Sequence, residues 1–88
     1  MEHIAILENN LNILTRDYEH YLTQTITSNI TFLQRLTNVE QARIKFNGYL
    51  DKLLDQADAI PASSAQEVVF RKNFVGRILE LLAASGSQ

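Results

Sequence analysis

Few side chains in this sequence have types and spacings that could do chemistry. Asp17 and His20 stand three residues apart, on one face if the segment is helical, and would make half of a metal site. A metal centre in a helical protein needs further His or carboxylate ligands converging from other helices, and His3 is the only other histidine. With no cysteine there is no thiolate nucleophile, thiolate ligand or disulfide. Ser63, Ser64, Ser85 and Ser87 fall where a helix cap and a tail are expected, not beside a base. Gly48, Gly76 and Gly86 are isolated, so no glycine-rich loop is available to cradle a phosphate. The expectation is a chain with no catalytic residue, no cofactor and no metal, and therefore not an enzyme.

Arg71, Lys72 and Arg77 form the one compact basic set. They support an alternative reading as a small helical nucleic-acid-binding regulator, which a formal net charge of -2 disfavours. Arg71 projects into an apolar arc, where a charge needs water or a carboxylate. Asp51, Asp55 and Asp58, close to a helix C-terminus where acids are disfavoured by the dipole, are the candidates for a buried ion pair with it. His20 supports a third, lesser reading. An exposed histidine on a helical bundle resembles histidine phosphotransfer domains, and His20-Tyr21-Leu22 carries the leucine that often follows at the second position. The Lys-Gly pair usual after it is absent.

Three amphipathic segments must position these residues. Ile4, Leu7, Leu11, Leu14, Tyr18 and Leu22 form a stripe whose phase continues through Ile26, Leu33 and Leu36, which predicts a helix over about residues 4–36. Residues 23–31, TQTITSNIT, are poor helix formers, so a kink or break is expected near 27–29. The second helix is expected over 38–60. Thr37 with Glu40, or Asn38 with Gln41, has capping-box spacing; Val39, Ala42, Phe46, Tyr49, Leu50, Leu53, Ala57 and Ile60 make its face, and Pro61 ends it. The third is expected over 64–84, opened by the Ser64–Glu67 box and carrying Val68, Phe70, Phe74, Val75, Ile78, Leu79, Leu81 and Leu82 on a wide apolar arc.

These segments give an all-α fold: a small antiparallel bundle of three helices, one domain over residues 1–88 with a frayed tail at 85–88. A straight first helix of roughly 50 Å outruns two partners of about 30 Å, which would leave Ile4 to Leu14 uncovered. Ile6 and Ile13 add a second ridge, and Ile44 beside Gly48 a possible contact on the back of the second helix. The expected core or protein interface is therefore Ile6, Leu7, Leu11, Ile13, Leu14, Ile44, Phe74, Ile78 and Leu82.

The function that follows is a non-enzymatic protein-protein interaction module, an adaptor, chaperone-like or assembly subunit. Its coiled-coil-like faces would be completed by a homo-oligomer or a small hetero-complex. The start MEHIAILENN does not build a signal-peptide core, and no apolar run approaches the roughly 20 residues of a membrane span. With no cysteine to protect, the expected setting is the cytoplasm.

Overall fold

A computed structural model of the chain describes residues 2–61 and 63–85. It contains three α-helices, α1 (Glu2–Thr27), α2 (Phe32–Asp58) and α3 (Ala65–Ala84), and no strand among the described residues. None of these helices is long and apolar enough to cross a membrane. The outer part of the tail expected to fray, residues 86–88, lies outside the described residues. Ser85 is the C-cap of α3.

The expected break falls at residues 28–31 and divides the long apolar stripe between two helices. Thr23 and Thr27 return their hydroxyls to the carbonyls of Glu19 and Thr23, 3.0 and 2.9 Å away, and Ser28 donates to the Thr25 carbonyl at 2.9 Å. Side chains that compete for backbone acceptors in this way weaken a helix and favour its end. Thr31 then takes up extended backbone, and its hydroxyl accepts the amide of Gln34 at 3.1 Å as the N-cap of α2. The second helix thus starts six residues before the expected 38. Thr37, expected as its cap, is an interior residue whose hydroxyl donates to the Leu33 carbonyl at 3.0 Å. The signal was the T-x-x-Q of Thr31 and Gln34, with the same spacing as the boxes proposed further on.

The other boundaries follow the expected chemistry. α2 stops ahead of Pro61, with Ala59 as its C-cap. At Ser64 the hydroxyl accepts the Glu67 amide at 3.2 Å, while Ser63 and Ser64 both donate to the Glu67 carboxylate, at 2.7 and 3.1 Å. Those hydroxyl donors hold the Glu67 carboxyl below its ordinary pKa.

α2 is the central element, packed antiparallel against α1 on one side and α3 on the other. Leu7 and Leu11 of α1, Phe46, Leu50, Leu53 and Ala57 of α2, Ile60, and Phe74, Ile78 and Leu82 of α3 form one buried core. Tyr18 stacks on Phe46, ring centroids 4.1 Å apart and nearly parallel. This core occupies only one end of the molecule. α3, with 20 residues, is about 30 Å long beside an α2 of roughly 40 Å, and its C-cap Ser85 meets Arg43 and Asn47, well short of the α2 N-terminus. The molecule measures 52 × 24 × 15 Å, and its radius of gyration of 15.3 Å exceeds the roughly 12 Å of a compact domain of this length. Among the described residues, one end is therefore a three-helix bundle, and the other is the hairpin of α1 and α2 alone.

Candidate interaction surfaces

The hairpin end is built around Arg35. Its Nε donates to the Thr25 carbonyl at 3.3 Å and its Nη2 to the Ser28 carbonyl at 3.1 Å, closing the C-terminus of α1 from the first turns of α2. The last carbonyls of a helix lack partners within the helix and carry partial negative charge, so a guanidinium is well suited to them. With Arg35 turned inward, the outer surface of this end is apolar and neutral. Ile26 is 62% exposed, Phe32 69%, Leu33 75% and Leu36 52%, with Leu22, Ile30 and Val39 half-buried beneath. Four large apolar side chains within so few turns make a contiguous patch, which isolated surface leucines do not.

On α2 this patch continues the strip that α3 covers lower down. Phe32, Leu36, Arg43, Asn47 and Leu54 recur at helical spacing along one side, and α3 reaches only as far as Arg43. The Arg43 guanidinium bonds Glu40 within its own helix and donates through Nη1 to the Ser85 carbonyl at 3.3 Å. That pairing holds the Glu40 carboxyl below its ordinary pKa. Beside it, the Ser85 hydroxyl donates to Asn47 Oδ1, so the end of α3 is tied to a fixed point on α2.

A second surface lies between α1 and α2. All three tyrosines of the chain, Tyr18, Tyr21 and Tyr49, line a furrow of about 260 Å³ with Leu14, Phe46, Asp17 and Lys45. Leu14 and Tyr49 also line an adjoining groove of about 220 Å³ that extends to Asn10 and Gln56.

The residues expected to form the interface separate cleanly. Leu7, Leu11, Phe74, Ile78 and Leu82 are buried in the chain's own core, and Leu14 is half-buried against it. Ile6, Ile13 and Ile44 are exposed. The expectation that Ile4 to Leu14 lies uncovered is corrected: it assumed one straight helix of 50 Å, and the break moves the uncovered apolar surface to the opposite end. Gly48 faces open space, with nothing within 4 Å of where a Cβ would stand.

Arg71 makes no salt bridge with Asp51, Asp55 or Asp58 among the described residues, although Asp58 lines the same groove as Arg71. Arg71 donates instead to the Ile60 carbonyl at 3.0 Å, closing the end of α2, and the one salt bridge among the described residues joins Arg43 and Glu40. The three aspartates are exposed and keep their hydration, which removes the need for a partner. Arg77 donates to Asn12 Oδ1 at 3.1 Å, so Arg71, Lys72 and Arg77 do not stand as a free basic row. His20 is exposed on α1, and no group of three or more His, Asp or Glu that could hold a metal occurs among the described residues.

Sequence reasoning missed the polar ties, Arg35, Arg43, Asn47 and the buried Thr25. One signal was available: no helix has a basic residue in its last turn, so the C-terminal carbonyls had to be met from elsewhere. Comparison with protein-family models, curated proteins and solved structures finds no match to this chain, and its function is argued from these surfaces.

Proposed function

We propose that the chain is a non-enzymatic protein-interaction module, an adaptor, chaperone-like or assembly subunit, whose working surface is the end of the α1–α2 hairpin that α3 leaves bare. The carrying observation is the joint exposure of Ile26, Phe32, Leu33 and Leu36. Apolar surface held in water forgoes about 25 cal/mol per Å², so a patch of several large side chains is a standing driving force for association. The core is complete without them, which leaves the patch free for a homo-oligomer or a small hetero-complex.

Photo-crosslinking in the cell that makes the protein tests this reading. A photoreactive residue at position 32 should give a defined adduct, and the same residue at the exposed Asp55, flanked on α2 by Asp51, Lys52 and Asp58, should not. No adduct from position 32, or equal labelling from both positions, overturns the proposal.

A further inference from the structure

We infer that the occupant of the hairpin end is a second copy of this chain, docked about a two-fold axis so that two α1–α2 ends pack as a four-helix bundle. The inference rests on the interaction-module reading and names its partner. Charge is the first argument. In a two-fold contact, residues near the axis meet their own counterparts, so any fixed charge there would face itself. Between His20 and Glu40 the chain has a single formally charged residue, Arg35, and its guanidinium is engaged by the Thr25 and Ser28 carbonyls. A different protein would ordinarily be selected and oriented by complementary charge. Residues 21–39 offer none beyond Arg35, and the next carboxylate along the strip, Glu40, is already paired with Arg43 of its own helix.

The rim supplies the second argument. Gln24, Asn29 and Gln34 are exposed amides. Each can both donate and accept, so each can pair with its own copy, which a carboxylate or an ammonium cannot do.

Continuity is the third. α3 is seated along α2 as far as Arg43, and the strip runs on through Leu36 to Phe32, eleven residues or roughly 16 Å further. Helices of a second copy laid there extend packing the chain already makes. At on the order of 200 Å² per large side chain, the four exposed residues offer roughly 500 Å² of apolar surface. That is the apolar centre of a contact to which each partner commonly gives about 800 Å², the neutral rim making up the rest.

The geometry sets a length. Two protomers of 52 Å overlapping by about three helical turns make a particle on the order of 90 Å long, whereas side-by-side pairing through the tyrosine furrow gives roughly 60 Å. Sedimentation velocity and small-angle scattering of the full chain from roughly 5 to 500 µM test the proposal. The expected result is twice the 10.0 kDa protomer mass, with the longer dimension. Leu36→Glu and Leu33→Glu, both at exposed positions and checked for unchanged helix content, should each weaken the dimer by at least about 100-fold through like charges brought together at the contact.

A monomer at the highest concentration overturns the inference. So does a dimer indifferent to both substitutions, or a particle of the shorter length. A monomer that still forms a position-32 adduct with another protein removes the second copy and leaves the module reading standing; a monomer with no adduct removes both.

Discussion

Three of the five arginines direct their guanidinium groups at carbonyls near the C-terminal end of a helix: Arg35 at α1, Arg71 at the end of α2, and Arg43 at α3. In each case the donor comes from a different helix, so one set of bonds satisfies orphan carbonyls and also ties neighbouring elements together. Removing Arg35 takes the side-chain donor from the Ser28 carbonyl, while the Thr25 carbonyl keeps the Ser28 hydroxyl. Arg35→Met is expected to cost about 1–2 kcal/mol in urea unfolding, the lower part of the range for charged hydrogen bonds because the site is half exposed. The exposed Arg16→Met should stay within about 0.5 kcal/mol. Equal losses at the two positions would show that Arg35 acts through general charge instead of its two carbonyls. Arg71 carries the same lesson: charge within an apolar arc was legible, but its partner proved to be a backbone carbonyl, which no residue spacing reveals.

At the scale of elements, the stretch TQTITSNIT determines the shape of the molecule, because it decides whether one apolar stripe makes a helix of 50 Å or two antiparallel helices. Thr31 is the cap at that boundary and Thr37 a residue within the helix. Thr31→Ala should therefore lower stability by about 1 kcal/mol, as loss of an N-cap does. Thr37→Ala should change it by less than about 0.5 kcal/mol, or raise it slightly, since alanine is the better helix former. Chemical denaturation of the two variants checks this, and the reverse order would return the start of α2 to residue 38. α2 also shows why Asn47 went unread. A helix with neighbours on two sides buries a wide arc, and a polar residue at its border becomes buried once α3 arrives.

For the whole molecule, the offset of α3 creates two regions of unequal stability. The three-helix end holds every residue of the core, bounded by the Tyr18–Phe46 stack, and the hairpin end beyond it is held by Arg35 and the half-buried Leu22, Ile30 and Val39. Amide hydrogen exchange at low micromolar concentration should accordingly be faster in residues 19–27 and 32–40 than in residues 46–57 and 74–82, because fewer buried contacts oppose local opening there. Raising the concentration should slow exchange in the first set selectively if two hairpin ends meet. Uniform protection at every concentration would show that the chain is a single cooperative unit with nothing docked on the hairpin.

The sequence by itself determined the all-α class, a weak point near residues 27–29 where the first apolar stripe could kink or break, the stop at Pro61, the Ser64 cap and nearly all of the core, from Leu7 to Leu82. These follow from local chemistry: side-chain period, β-branching, hydroxyls that compete for the backbone, and proline's missing amide. It also contained the raw material of the candidate surface, a neutral threonine- and amide-rich stretch carrying large apolar residues. Only the tertiary structure decided which apolar residues that stretch leaves in water. That outcome depends on where α3 stops along α2, and the stopping point is set by contacts of Arg43 and Asn47 with Ser85 across some forty residues of sequence. Periodicity marks a face as apolar. Whether the face is covered depends on the lengths and offsets of separate helices, which emerge when they pack.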